Sequence, residues 1–322
     1  MTTKTTNKHL KLNSPLKLGL NWALAATAIF SAAALPVMAE DAPPPKVHIL
    51  ADLEFANEYL TPRGLIVVNQ GLTIQPLVLG LVNVYKGDSF INDVTLVPGV
   101  WADLATAING PRPGFAYSVP VTGQNSKGYL NEIDPILGVS TTFAKDYTLS
   151  FTYTAFISQL GEYPTSQHLE TKFTYNDSGI LKAFALHPTV IYWQELRNKA
   201  TVGPIAGNRT GGYFDLGISP GYTFEKAGHL KVELPIRTLI PVDDRFYGRS
   251  GIGLYEVGIK GTLPLDFMPK GYGGWSFHAG VKYMRFLNDN LITMNNSGFL
   301  AEPPGSHKKD TVQVYAGIST FF

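Results

Sequence analysis

The sequence predicts an all-β fold: a transmembrane antiparallel β-barrel of about 12 strands. Three observations support this prediction. Apolar and polar residues alternate along many segments, and the charged residues occur on the polar face of that alternation. The connections between the segments are alternately short and long. Alternation over roughly ten residues at a time, separated by turn residues, is typical of strands in a barrel wall.

Residues 1–39 have the features of a secretory signal peptide. They contain four lysines and no acidic residue, followed by an apolar stretch that ends in the small residue Ala39. A basic start, an apolar centre and a small-residue end mark a segment that is removed on export. We therefore expect residues 1–39 to be cleaved and residues 40–322 to form the barrel. The alternative, a transmembrane anchor, is disfavoured by Asn21, Pro36 and the many alanines.

The composition narrows the functional classes. The chain has no cysteine, so neither disulfide bonds nor a lipid-anchored cysteine is available to the exported domain. The formal net charge is +1 over 322 residues and becomes −3 without the four lysines of the signal segment. This balance gives no reason to expect a nucleic-acid partner. No cofactor is expected either.

Twelve strands are predicted by breaking the alternation at clusters of Gly, Pro, Asn and Asp. In chain order they span 46–60, 71–86, 91–104, 128–143, 147–162, 167–177, 183–196, 211–225, 230–243, 251–265, 275–288 and 310–322. The second and third are separated by "KGDSF", the fourth and fifth by "AKD", the sixth and seventh by "NDSGIL", and the eighth and ninth by "KAGH".

Longer connections follow most of the odd-numbered strands, such as "NDNLITMNNSGFLAEPPGSHKK" after the eleventh. Short turns on one side and long loops on the other are the organisation of bacterial outer-membrane barrels. Both chain ends are then expected on the periplasmic side. The stretch Thr106–Lys127 is long enough to fold inward as a constriction, and equally able to stay outside.

Charged residues in the central parts of seven strands all share the less apolar parity. They are Asp52 and Glu54 in the first strand, Glu132 and Asp134 in the fourth, Glu170 and Lys172 in the sixth, Asp215 in the eighth, Lys231, Glu233 and Arg237 in the ninth, Glu256 and Lys260 in the tenth, and Lys282 in the eleventh. A Lys or Arg facing lipid at mid-membrane costs roughly 2–4 kcal/mol, so lipid selects against charge on one face. These residues are therefore the candidates that line the lumen.

A soluble β-sandwich is the alternative, since it would pack its apolar faces inside and place the charges in water. The predicted strands exceed the usual soluble length, and aromatic residues stand near strand ends, as at Tyr147, Trp275, Tyr283 and Phe322. Together with the regular difference in loop length, these features favour the barrel.

The chain ends in "VQVYAGISTFF". This ending resembles the C-terminal strand of outer-membrane barrels, whose terminal Phe and alternating apolar residues are recognised by the barrel-assembly machinery. The resemblance implies that Tyr315, Ile318 and Phe322 form an assembly signal. The alternative is an ordinary final strand of a soluble domain.

A second resemblance covers most of the chain after the signal segment. The stretches "LEFANEYLTPRGLIVVNQGLTIQP", "NEIDPILGVSTTF", "YTLSFTYTAF" and "YGGWSFHAGVKYM" are similar to those of a poorly characterised family of bacterial porins of the TorF type, in which an Arg-Gly pair follows the first strand. Here the pair is Arg63-Gly64. The resemblance implies an outer-membrane channel without fixing its cargo.

Prolines inside the predicted strands conflict with regular pairing, because proline has no N–H for the ladder. They are Pro76, Pro98, Pro135, Pro188, Pro220 and Pro235, with Pro241 and Pro264 near strand ends. Either these strands carry bulges at the prolines, or some of the predicted boundaries are wrong by several residues.

The function expected from these patterns is passive diffusion of small polar solutes or ions through a porin-like channel in contact with outer-membrane lipid. Twelve strands lie between the eight that fill their own interior and the 16 to 18 that leave a wide channel. The lumen candidates comprise eight acids and five bases, which could form opposing walls or pair into a network that plugs the bore. A homo-oligomer is left open.

Two other functional classes are weighed, and the first is a plugged barrel that acts as an outer-membrane enzyme, either a lipid hydrolase or an acyltransferase. His48, His187 and His278 could each act as a base, but no nucleophile elbow, HExxH or paired metal-ligand spacing accompanies them. We therefore predict no catalytic, cofactor-binding or metal-binding residue, and no enzyme. A structural or adhesive surface protein is the third class, and the modest length of the outer loops argues mildly against it.

Overall fold

The computed structural model describes residues 46–69, 71–106, 130–159, 163–199, 207, 209–296 and 308–322. The predicted signal peptide, and residues 107–127 of the predicted inward loop, lie outside the described residues.

Within the described part of the chain, strands dominate. They are β1 (Val47–Ala56), β2 (Tyr59–Leu60), β3 (Ile66–Val68), β4 (Thr73–Lys86), β5 (Ile91–Ala105), β6 (Leu130–Phe143), β7 (Tyr147–Ser158), β8 (Ser166–Tyr175), β9 (Thr189–Arg197), β10 (Gly212–Ile218), β11 (Gly221–Phe224), β12 (Leu230–Glu233), β13 (Ile236–Pro241), β14 (Leu254–Pro264), β15 (Gly274–Phe286) and β16 (Asp310–Phe321). The helices are α1 (Ser178–Leu181), α2 (Asp244–Tyr247) and α3 (Asp289–Asn296), with short 3-10 turns at Lys182–Phe184, Glu225–Ala227 and Lys270–Tyr272. No helix in these ranges is both long and apolar enough to cross a membrane.

Antiparallel pairing runs around a closed ring. β16 pairs with β15 on one side and with β1 on the other, so Ile318 lies opposite both Phe277 and Leu53. β10 and β11 together make one barrel strand, and β12 and β13 make another. The ring therefore has twelve antiparallel strands, which confirms the predicted fold class and strand number.

The outer face of the wall is apolar and exposed. On β1, Leu53 is 39% and Phe55 is 36% exposed, whereas the alternate residues Asp52 and Glu54 are buried. The same alternation continues on β14, where Val257 and Ile259 are exposed. A soluble sandwich would bury these residues against a second sheet, and here they face outward. An apolar outer surface around a polar interior is what lipid requires, so the fold is a transmembrane β-barrel.

The prolines fall into two groups. Pro98 and Pro135 stay inside paired strands, where the β5–β6 register passes them without a shift; Pro76 also lies within β4, opposite Leu53. Pro188, Pro220 and Pro235 stand where strands begin or break. At the break, Pro220 O still accepts a hydrogen bond from the Leu234 N–H at 2.8 Å. Bulges are therefore not needed at the first group.

Several predicted strand boundaries are wrong by a few residues, and two of them have a clear structural reason. The first strand ends at Ala56 instead of residue 60, because the chain then turns into the short hairpin β2–β3. The seventh begins at Thr189 instead of residue 183. The preceding residues form α1 and a 3-10 turn instead, and the Asp177 carboxylate accepts hydrogen bonds from the Leu186 and His187 N–H groups at 2.9 and 3.0 Å.

Candidate functional site in the barrel lumen

The predicted lumen residues all lie on the inward parity of their strands. Those that are buried are Asp52, Glu54, Glu132, Asp134, Glu170, Lys172, Asp215, Glu233, Arg237, Glu256, Lys260 and Lys282. Lys231 is the exception, since its side chain is 26% exposed; its Nζ lies 2.9 Å from Glu233 Oε1. The interior of this barrel is thus narrow and densely charged. Whether solutes pass along these side chains stays a prediction.

Arg237 joins two of the acids. Its guanidinium donates to the carboxylates of Asp215 and Glu256, the latter at 2.9 Å, and all three side chains are buried. A further hydrogen bond, from Nη2, reaches the carbonyl oxygen of Pro62 at 2.9 Å. Acid and base therefore pair locally around Arg237, and the same cation is tied to a segment that does not belong to the wall.

A second charged cluster lies around His278. Its Nδ1 is 3.6 Å from Asp52 Oδ1 and its Nε2 is 3.7 Å from Glu54 Oε2. Both Asp52 oxygens and Glu54 Oε2 are buried with no hydrogen-bond partner. Ser276, on the same strand, shares a hydrogen bond of 2.7 Å with Ser319. Within the described ranges, no group of three or more His, Asp or Glu side chains is arranged to hold a metal ion.

The segment between β1 and β4 folds into the bore. We call residues 57–69, which include β2 and β3, the inner hairpin. The Tyr59 hydroxyl donates to Glu132 Oε2 at 2.9 Å, and the Glu58 carboxylate accepts from the Thr311 hydroxyl at 2.8 Å. The inner hairpin thus contacts wall strands far from its own position in the sequence, and it narrows the bore, the role considered as one of two possibilities for Thr106–Lys127.

One side of the bore is apolar and receives the inner hairpin. On β4, Leu77 and Leu79 point inward and are almost fully buried, together with Trp101 of β5. Tyr59 and Val68 pack against this surface in a single apolar cluster, and the Tyr59 and Trp101 rings lie 5.3 Å apart. Burial of these side chains holds the hairpin against the wall through the hydrophobic effect.

Two helices cover the inner hairpin from the long-loop end. Phe246 and Tyr247 of α2 and Leu291 of α3 are fully buried, and they share one apolar cluster with Leu65 and Ile66 of the hairpin. The cluster lies inside the ring of strands, so the described residues at the long-loop end of the barrel include a packed apolar core.

Backbone hydrogen bonds fix the tip of the inner hairpin. The Gly64 N–H donates to Thr61 O at 2.9 Å, and Gly64 adopts φ +82°. Asn295 of α3 donates to Gly64 O at 3.0 Å and accepts from the Ile66 N–H at 3.2 Å. The Tyr247 hydroxyl donates to Arg63 O. Because its peptide groups are bonded on several sides, the turn is rigid.

The tip presents the Arg63 side chain to the interior. The guanidinium lies 4.4 Å from the centre of the Phe156 ring and 5.3 Å from that of Trp193, and the residue is 4% exposed. His168 lies between these rings, with centroid distances of 4.1 and 4.4 Å. A cavity of about 60 Å³ adjoins Arg63.

Sequence patterns did not reveal the inner hairpin as a lumen element, nor the lumen roles of Glu58 and Arg63. One signal was available. The second strand of the barrel wall, β4, has apolar residues on both faces, with Leu77, Leu79 and Leu81 facing inward. A strand that is apolar on both faces is normally covered on both. That pattern indicates that a segment of the chain packs against β4 inside the barrel.

The three residues of the predicted assembly signal do not share a face. Ile318 and Phe322 are exposed on the outer surface, whereas Tyr315 is buried inside the bore near Lys282, whose Nζ is 4.8 Å from the ring centre. The strand does not fray at its end, because Phe322 N donates to Ile49 O at 2.9 Å. Recognition of these residues by the assembly machinery stays a prediction.

No protein-family model matches the chain, and no curated protein matches it. Among solved structures, it is similar to the β domain of the Bordetella autotransporter BrkA, with 11% identity, a TM-score of 0.37, and coverage of 85% of this chain and 98% of that chain. It is also similar to the NanC porin (6% identity, TM-score 0.39, 84% and 98% coverage). A third is the translocator domain of the autotransporter NalP from Neisseria meningitidis (9% identity, TM-score 0.38, 88% and 90% coverage). Likenesses this weak carry no functional inference for this chain.

Proposed function

We propose that this chain is a porin-like barrel of the bacterial outer membrane, through which small polar solutes or ions diffuse passively. The chain ends lie on the periplasmic side, and the inner hairpin restricts the bore from the outer side. Selection follows from size and from the mixed field of the lumen charges. The resemblance to TorF-type porins supports the same assignment.

One observation carries the proposal: carboxylate oxygens of Asp52, Glu54 and Glu233 are buried in the bore without hydrogen-bond partners. An ionised carboxylate costs several kcal/mol to take out of water. Lys231, at 2.9 Å from Glu233, and His278, at 3.6–3.7 Å from Asp52 and Glu54, compensate only part of this cost, so the remaining oxygens favour contact with water or a solute. Such a hydrated, charged interior inside an apolar outer wall is suited to polar solutes. For stability alone, an apolar core would serve the barrel equally well, so the charged interior points to a functional role.

The expected partners follow from the same picture. The apolar outer face contacts outer-membrane lipid, and the last strand is read by the barrel-assembly machinery during insertion. A homo-oligomer is compatible with this function and is not required by it. No enzymatic activity is proposed.

The test compares the native barrel with one that lacks the inner hairpin. Ala56 and Thr73 are directly paired, so residues 57–72 can be replaced by an Asn-Gly turn without interrupting the β1–β4 ladder. Both proteins are refolded without residues 1–39 and inserted into planar bilayers. We expect small discrete current steps for the native barrel and several-fold larger steps for the shortened one.

The reversal potential in a salt gradient then reports the sign of the preferred ion, which we expect to be a cation because acids outnumber bases among the lumen residues. A correctly folded native barrel and a correctly folded shortened barrel that are both silent would contradict a channel. The enzymatic and adhesive alternatives would then move ahead.

A further inference from the structure

The Arg63 guanidinium has no conventional partner. Its Nε is buried without a hydrogen bond, and among the described residues no carboxylate lies close enough to this side chain to form an ion pair. Its immediate neighbours are the faces of Phe156 and Trp193, which stabilise a cation but leave its N–H groups unused. A buried guanidinium on a rigid turn is a preformed site for an anionic group, most simply a carboxylate.

The cavity beside Arg63 has further donors. Trp101 and Thr154 both line it, and Trp101 Nε1 and Thr154 Oγ1 are buried without a hydrogen-bond partner. Buried donors in native proteins are nearly always satisfied. The same cavity therefore contains three residues with unused donors: Arg63, Trp101 and Thr154.

Acceptors line the same cavity. Asp134 Oδ1, Glu54 Oε2 and Gln313 Oε1 are buried without partners and border it together with Arg63. Three carboxylates (Glu54, Asp134 and Glu256) and three cations (Arg63, Arg237 and Lys282) line the cavity, so a bare anion and a bare cation would each meet groups of their own sign. A solute with both charges meets a complementary group at each end.

We propose that this cavity binds a small zwitterion, with its carboxylate on Arg63 and its ammonium group toward Asp134. The site would supply the cargo class of the proposed channel, and to that extent it rests on the proposed function. The volume sets the size: one enclosed water needs roughly 10–15 Å³, so about 60 Å³ accommodates only a few non-hydrogen atoms. Free α-amino acids with small side chains fit this description.

Binding is measured on the purified barrel in detergent micelles, where no transport is needed. The probes are L-alanine, acetate, which has only the carboxylate, and methylamine, which has only the ammonium group. Calorimetry and saturation-transfer NMR report affinity, and Trp101 in the cavity wall provides a fluorescence signal. We expect L-alanine to bind the native barrel at least about tenfold more tightly than either single-charge probe, since each end adds a charge-assisted contact.

Substitutions at two positions test the two ends of the ligand separately. Arg63→Gln should weaken L-alanine binding at least about tenfold, and Arg63→Lys should keep part of it. Asp134→Asn should weaken L-alanine but strengthen acetate, a reversal that general loosening of the fold would not produce. The matched control is Arg249→Gln, because the Arg249 side chain is 62% exposed and pairs with the exposed Asp289.

The outcomes are distinguishable. Equal affinity for L-alanine and acetate in the native barrel, or unchanged L-alanine binding in Arg63→Gln, overturns the zwitterion site. If Arg63→Gln does not fold, the reversal expected for Asp134→Asn decides the matter. A barrel that binds L-alanine but conducts no current retains the site and loses the channel, whereas a conducting barrel that binds none of the probes retains the channel alone.

Discussion

The hydroxyl of Tyr247 donates a hydrogen bond to the carbonyl oxygen of Arg63, a residue 184 positions earlier in the chain. Tyr247 is fully buried in α2, and Arg63 stands at the tip of the inner hairpin. The bond therefore joins a connection at the long-loop end to the element that fills the bore. It makes the position of the hairpin depend on the state of the loops at the long-loop end.

Tyr247→Phe should loosen the inner hairpin. The change leaves the buried carbonyl of Arg63 without a donor, which costs about 1–3 kcal/mol. We expect the amide hydrogens of the hairpin to exchange roughly 5- to 100-fold faster, while the barrel strands keep their protection. Tyr255→Phe is the control, because Tyr255 faces outward. Equal exchange in both variants would show that the bond does not hold the hairpin.

Gly64→Ala should displace the hairpin tip. Gly64 adopts φ +82°, and a Cβ there would lie 2.5 Å from Leu254 Cδ2 and 3.0 Å from Leu291 Cδ2. Gly251→Ala is a matched control for backbone strain alone, since Gly251 has φ +105° and no atom within 4 Å of its added Cβ. We expect a lower unfolding midpoint and larger bilayer currents for Gly64→Ala than for Gly251→Ala. Similar behaviour of the two would mean that the tip accommodates the methyl group.

Arg237→Met should destabilise the barrel by about 3–5 kcal/mol, because it leaves the Asp215 and Glu256 carboxylates buried without their shared cation. Guanidinium unfolding in detergent measures the loss. Adding Asp215→Asn and Glu256→Gln to the same protein should recover much of the stability, since the unpaired charges are then removed. A triple variant no more stable than Arg237→Met would indicate that the contact to Pro62 matters more than the ion pairs.

Acid should release the connection that contains α1. Burial raises the pKa of Asp177, but the hydrogen bonds from the backbone N–H groups of His187 and Leu186 outweigh it, so the pKa lies below its ordinary value of 3.8. The ionised carboxylate therefore stabilises this connection above the ordinary pKa, and the contribution is lost as the pH falls through the lower folded value. NMR protection factors of the two amides should fall below about pH 4 in the native protein. In Asp177→Asn they should be low and independent of pH.

Val314→Arg tests the lipid-facing wall. Val314 is exposed within β16, and the arginine would stand in the apolar belt at a cost of about 2–4 kcal/mol. Val47→Arg, at the first residue of β1, should cost only about 0–1 kcal/mol because the interface is near. Folding yield into lipid vesicles at increasing urea measures both. Equal costs at the two positions would contradict the placement of the membrane along the strands.

The wall of this barrel could be predicted from the sequence because each strand carries its own evidence. The alternation of Asp52 and Glu54 with Leu53 and Phe55 indicates which face of the strand contacts lipid. A charged side chain on that face is unfavourable at the centre of the membrane. Register and closure then follow from antiparallel pairing of neighbours in the chain. The prolines misled only by suggesting bulges, because the strand register continues unchanged past Pro98 and Pro135.

The contents of the bore could not be predicted in the same way. Residues 57–69 have no alternation of their own, and their position depends on Asn295, Tyr247 and Arg237, which are brought together only when the ring has closed. Local patterns contain no information on such distant contacts. Burial of the lumen charges has the same origin, because it depends on what fills the interior as well as on the wall.

The inner hairpin also sets an order of events during folding. Its residues emerge early, but Glu58 bonds to Thr311 and Gly64 to Asn295, separations of 253 and 231 residues. Contacts this distant in sequence form late and slowly. Packing of Tyr59 and Val68 on β4 and β5 can form earlier, but the hairpin is fully held only when β16 is in place. A chain truncated before β16 would lose the bond from Thr311 to Glu58, and its hairpin should be more sensitive to proteolysis.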